Sequence, residues 1–205
     1  QNKALELSMF LSIPASVALV IGSEQIISAL FGYGSFTENS VLNSSNALYY
    51  FGLGLPAFAL IKVFSTFFFA NHDTKTPFYI SLVSVLLNIL ISVYFFKDIG
   101  FIIIPIATTI SSWFNSLILF IYLKNNNLFE FNKFFFKQFV KIIFASIMMG
   151  IFFQYLILIF ENQLSYAYFF KSAYLLLCVL FAVIFYFALS YFIKAFNYQD
   201  IKLKY

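Results

Sequence analysis

Few side chains here can do chemistry, and most of those lie inside long apolar runs. Lys62 stands in the middle of GLPAFALIKVFSTFFFA with no other charge nearby. An ammonium at the centre of a membrane helix costs at least about 2.5–3.5 kcal/mol, so such residues face a bundle interior or a wet cavity and tend to be functional. The alternative is a side chain that snorkels to the interface. Asn88 and Ser92 are four apart and share one helix face. Thr108, Thr109, Ser111, Ser112 and Asn115 form a polar stripe in the next apolar run. Such groups bridge helices at about 0.6 kcal/mol each, and they could also coordinate a cation. Pro14, Pro56 and Pro105 fall inside or near the start of apolar runs. Proline removes a backbone hydrogen bond, and broken helices are common in transporters, so all three are hinge candidates.

Other chemistry is not visible in the sequence. No cluster of His, Cys or carboxylates has metal-ligand spacing. There is no phosphate-binding loop, no glycine-rich dinucleotide motif and no Ser/His/Asp set. His72 sits in a charged loop and reads as solvated, and Cys178, the single cysteine, reads as an inert buried thiol. Glu6 and Glu24 lie near opposite ends of the first apolar run and read as interfacial. An enzyme is not expected, and neither is a metal or an organic cofactor.

The elements that position these residues follow from composition. The chain is 62% hydrophobic, 23% aromatic and 10% charged. A soluble domain is about 45–50% apolar and about 25% charged, so this chain cannot cover its exterior with polar surface and lipid is its solvent. A membrane-spanning helix needs about 20 mostly apolar residues. Six runs qualify, at about 4–30, 46–70, 77–96, 101–123, 134–160 and 166–196. They are continuous and too long for barrel strands, and backbone groups in lipid must pair within the segment, so an all-α membrane protein is expected. Residues 1–124 form a block of four helices, 125–133 a cytoplasmic linker, and 134–205 a terminal pair.

Net charge is +4, from 12 Lys and no Arg. The lysines are scattered between apolar runs, which argues for topology and headgroup contact and against a nucleic-acid partner. With six helices, nine lysines fall on one side (3, 75, 124, 133, 137, 141, 194, 202 and 204) and two, Lys97 and Lys171, on the other. The positive-inside rule then places both ends in the cytoplasm. The chain opens Gln1-Asn2-Lys3, without Met and without a signal-peptide pattern, as expected for part of a longer protein.

Two strings resemble a known family. LSIPASVALVIGSEQIISALFGYGSF has an apolar helix with an early proline and then a loop with Leu30, Phe31, Gly34 and Phe36. ALYYFGLGLPAFALIKVFSTFFFANHDTKTPF has Gly52, Leu53, Lys62, Val63, Phe69 and Ala70, followed by the run Asp73-Thr74-Lys75-Thr76-Pro77. Both resemble the MurJ/MviN lipid II flippases. The likeness covers about residues 7–124, and the last two helices match in position and apolar character.

The resemblance implies a fourteen-helix, two-lobed flippase of the multidrug/oligosaccharidyl-lipid/polysaccharide exporter type, of which this chain supplies the ninth to fourteenth helices. It implies transport of undecaprenyl-linked peptidoglycan precursor from the inner to the outer leaflet of the bacterial cytoplasmic membrane, by alternating access. Lys62, Asp73 and Lys75 would belong to the moving lobe and serve the cavity. Asn88 and Ser92, with Ile104 and Thr108, stand where one member type is thought to bind sodium, although Ser92 replaces an expected carboxylate. Sodium or membrane-potential coupling is left open. The terminal pair would form a groove for the lipid tail. Further partners would be membrane lipids and the eight preceding helices. The rival readings are a related multidrug or polysaccharide exporter, which needs a carboxylate that the second to sixth helices do not show, and a non-transporting scaffold or fragment.

Overall fold

The computed structural model describes residues 2–126 and 133–195, and these residues are helical throughout apart from short connections. Eight α-helices follow in order: α1 (Asn2–Ile21), α2 (Ser23–Phe31), α3 (Glu38–Ala70), α4 (Lys75–Ile99), α5 (Ile103–Asn125), α6 (Lys133–Ile159), α7 (Glu161–Leu164) and α8 (Lys171–Phe192). Most of the expected linker at 125–133, and all of the chain beyond 195, lie outside the described residues.

Five stretches are long and apolar enough to cross a bilayer. One of them, Lys75–Asn125, has 51 residues. At 1.5 Å per residue a straight helix of that length would reach about 75 Å, far more than a bilayer. It does not run straight. Gly100 adopts φ 76°, its N–H caps α4 on the Phe96 carbonyl, and a single 3-10 turn (Gly100–Ile102) reverses the chain into α5. The described residues therefore make six crossings, as the apolar runs indicate.

Boundaries differ from the sequence expectation at three places, each for a local reason. The first apolar run is not one helix: it breaks at Gly22 into α1 and α2, with Pro14 inside the continuous part. The second helix starts at Glu38 instead of about residue 46, because Thr37 is extended and its hydroxyl accepts the Ser40 N–H. The last helix starts at Lys171 instead of 166, after the one-turn helix α7 and a loop.

The helices pack as a row, α4 on α5, α5 on α3, α3 on α1, α1 on α6 and α6 on α8, with α2 wedged between α3 and α8. Two apolar cores result. One joins Leu5 of α1 to Phe64, Phe67 and Phe68 of α3 and Leu119 and Leu123 of α5. The other joins Phe10 of α1 and Ala29 of α2 to the inner faces of α6 and α8, including Phe153, Cys178 and Tyr186. Helix α1 belongs to both. Its approach to α6 is close because Gly150 has no side chain: a Cβ there would lie 2.6 Å from Val17 and 2.8 Å from Ile21. Small residues at such crossings are a general device of membrane helix packing.

Candidate functional site

One feature suited to a ligand is an apolar groove. It has a volume of about 410 Å³ and lies between α1, α6 and α8, with Ile26 of α2 at its edge. Phe10, Pro14, Ala15, Phe153, Val179 and Tyr186 are among its walls, and no charged residue lines it. This falls in the usual range for a ligand cleft of about 300–1,000 Å³. Its chemistry suits a hydrocarbon chain and nothing ionic.

Both interior prolines are tied into this frame. Proline at position i leaves the carbonyl of i−4 without its helical donor. Pro14 thus frees the Phe10 carbonyl, and the Tyr186 hydroxyl of α8 donates to it at 2.7 Å. Pro56 frees the Gly52 carbonyl, and the Ser16 hydroxyl of α1 donates to it at 2.7 Å. Two neighbouring carbonyls of α3 are held from the other side by α5: Thr109 donates to Tyr50 at 2.7 Å and the Trp113 indole to Leu53 at 3.1 Å. Pro105 is different. It is the third residue of α5, in the first turn, where a missing N–H costs no bond.

Lys62 lies eight residues before the end of α3, exposed on this chain. Its carbonyl accepts the Thr66 hydroxyl at 2.8 Å. Asp73 acts locally, since its Oδ1 accepts the N–H of Lys75 at 3.1 Å and of Thr76 at 3.0 Å, which starts α4. Hydrogen bonds from Thr76, with smaller contributions from the Lys75 N–H and charge, hold the Asp73 carboxyl below its ordinary value of 3.8. Lys75 is exposed. His72 is exposed too, with φ 60°. Glu24 is exposed and Glu6 is buried.

The four positions that resemble a cation site do come together. The Asn88 amide donates to Thr108 at 3.0 Å and to Ser111 at 3.3 Å, Ser92 donates to Asn88 Oδ1 at 3.4 Å, and Thr108 donates to the Ile104 carbonyl at 2.8 Å. Ser81, Ser84, Ser112 and Asn115 extend the same polar seam along a cleft of about 240 Å³ between α4 and α5. Each oxygen of the set of four already takes part in this network, and none is a carboxylate. A sodium ion needs oxygen donors turned toward it, with negative charge nearby to offset desolvation. The residues present do not fit that demand; they fit helix packing.

A family model described as lipid II flippase MurJ matches residues 1–175. A probable lipid II flippase MurJ of Rickettsia prowazekii (strain Madrid E) is 31% identical over 209 residues, covering 98% of this chain and 40% of that protein. The chain belongs to the lipid II flippase MurJ family. A probable lipid II flippase MurJ of Rhizobium meliloti (strain 1021) is 39% identical over 120 residues, covering 58% of this chain and 22% of that protein. A solved structure of lipid II flippase MurJ in an inward closed conformation superimposes with a TM-score of 0.77 at 28% identity, over 98% of this chain and 39% of that one. The chain spans about two fifths or less of the length of these relatives.

Set against the MurJ relatives, the likeness reaches past residue 124 into the terminal pair, which the residue patterns did not reveal. The Asp73–Pro77 run is here a helix start. The turn after α2 is a socket for Lys171. Lys171, at the first turn of α8, is 1% exposed. Its ammonium donates to the Gly32 carbonyl at 2.6 Å and to the Tyr166 carbonyl at 2.7 Å. It also lies 4.4 Å from the Tyr33 ring centre and 4.6 Å from that of Tyr166. A lysine closing the aromatic string SYAYFFK, with no acidic residue in that string, was the available signal.

Proposed function

We propose that this chain supplies the ninth to fourteenth helices of a fourteen-helix, two-lobed flippase. The whole protein would carry undecaprenyl-linked peptidoglycan precursor from the inner to the outer leaflet of the bacterial cytoplasmic membrane. The observation that carries the reading is the uncharged groove between α1, α6 and α8, set in a fold that aligns with a MurJ structure over nearly its whole length. A polyprenyl tail offers only apolar surface, and this groove offers only apolar walls. The tail stays in lipid-like surroundings while the sugar-pyrophosphate head crosses a cavity formed with the other lobe by alternating access.

Within that reading, Lys62 faces the cavity and meets the anionic head in passing. Lys75 belongs to the same moving lobe, on the cytoplasmic side with both ends of this segment. Asp73 serves the lobe by starting α4, because its carboxylate is already engaged by backbone N–H groups. Pro14 and Pro56 lie inside continuous helices, with the carbonyls they free held from neighbouring helices, and Pro105 begins a helix. The polar seam around Asn88 joins α4 to α5, and no coupling ion is assigned to it.

The test is flipping of fluorescent lipid II by the full-length protein in proteoliposomes, together with complementation of a flippase-depleted strain. Loss of flipping in Lys62→Ala, with normal expression, supports the reading. Wild-type flipping and growth with Lys62→Ala remove Lys62 from the mechanism. No flipping by the intact protein overturns the whole reading.

A further inference from the structure

The Lys171 socket joins two loops far apart in sequence. One is the turn after α2, where Gly32 supplies a carbonyl and Tyr33 a ring; the other is the loop before α8, where Tyr166 supplies both. The Tyr166 hydroxyl adds a bond to the Phe36 carbonyl at 2.6 Å. Every one of these partners belongs to α2's trailing loop or to the segment just ahead of α8. No acidic residue takes part. The bonds are charge-assisted and therefore strong, yet they rest on carbonyls and rings that water can replace once the loop moves away.

Helix α2 has the form of a movable piece. It is nine residues long and separated from α1 by the break at Gly22. At the change of direction Gly22 keeps both of its own bonds: its N–H reaches Ala18 at 2.9 Å, and its carbonyl accepts from Ile26 at 2.8 Å. A residue larger than glycine would not fit, since a Cβ would lie 2.7 Å from the Phe153 ring. The same Ile26 borders the apolar groove, so the position of α2 sets the shape of that end of it.

We propose that α2 is a gate at one end of the groove, hinged at Gly22 and held shut by Lys171. The socket is the catch, and its release frees α2 and the 32–36 loop as one unit while α3 to α5 keep their places. This goes beyond the transport reading, and it holds or fails whatever molecule the groove takes.

Hydrogen–deuterium exchange on the full-length protein in nanodiscs tests it. In Lys171→Met, amides of residues 23–37 should exchange at least tenfold faster, while those in the middle of α3 and in α5 stay at the wild-type rate. Tyr166→Phe leaves the lysine bonds in place and removes only the bond to Phe36, so it should speed exchange at residues 33–37 alone. Unchanged exchange at 23–37 in Lys171→Met overturns the catch. So does acceleration spread evenly over all helices, because Lys171 would then hold up the fold and not a gate. If Lys171→Met does not fold, wild-type exchange at 33–37 in Tyr166→Phe overturns the proposal by itself.

Discussion

The Tyr186 hydroxyl on α8 points at the Phe10 carbonyl of α1, 2.7 Å away, which is the carbonyl that Pro14 deprives of its helical donor. Proline and brace are therefore one unit. Tyr186→Phe should destabilise the folded protein by about 0.5–1.5 kcal/mol, since a buried carbonyl loses its partner. In a Pro14→Ala background, where the substituted residue restores the backbone N–H, the same change should cost much less. Denaturant titration of the four variants in detergent gives the cycle, and equal costs in both backgrounds would show that the bond is not compensating for the proline.

Ser16 and Trp113 grip α3 from opposite sides beside Pro56. Ser16→Ala should lower stability by about 1 kcal/mol, with the double change Ser16→Ala/Pro56→Ala recovering most of it. The measurement is the shift of the unfolding midpoint.

Asp73→Ala should shorten α4 at its start, and Asp73→Asn should retain most of the cap, since asparagine caps well. The pH dependence has a definite sign. The folded carboxyl titrates below its ordinary value of 3.8, so the cap's contribution is present in full above that value. It fades as the pH falls through the lower folded value. Acid unfolding curves of wild type and Asp73→Asn should converge below that point and diverge above it.

Gly150→Ala tests the α1–α6 contact. The added methyl meets Val17 and Ile21 at under 3 Å, so the helices must move apart, at a cost of about 1–3 kcal/mol. Thermal unfolding reads it out, and an unchanged midpoint would mean that α6 rides freely on α1.

Ala15 is exposed on the groove wall. Ala15→Trp should fill the groove and abolish lipid II flipping by the full-length protein while leaving the unfolding midpoint within about 1 kcal/mol of wild type, because the change is at an open surface. Flipping at the wild-type rate would place the lipid tail elsewhere.

The six crossings were legible because lipid leaves only one reading of 20-residue apolar runs. The pairing of Asn88 and Ser92 with Thr108 was legible in part, because side chains four apart share a helix face. The break at Gly22 was hidden, since proline at 14 is the stronger breaker in sequence and glycine acts here through its closeness to Phe153, a contact 131 residues away along the chain. Lys171 was hidden for a related reason. A lysine at a helix end reads as a headgroup contact, and only the fold brings Gly32 and Tyr33 around it. The early start of α3 was open to reading, since Thr37 and Glu38 are ordinary signals for a helix start.

The seam between α4 and α5 also bears on how the chain enters the bilayer. Alone, α4 would hold Ser81, Ser84, Asn88 and Ser92 against lipid tails, and α5 would do the same with Thr108, Ser111, Ser112 and Asn115. Gly100 puts the two complementary faces within one tight reversal of each other, and almost all their polar bonds run between residues fewer than 35 positions apart. The natural unit of insertion is therefore the hairpin. The pairing predicts that the two helices enter the membrane together, with Asn88 already set against Thr108 and Ser111.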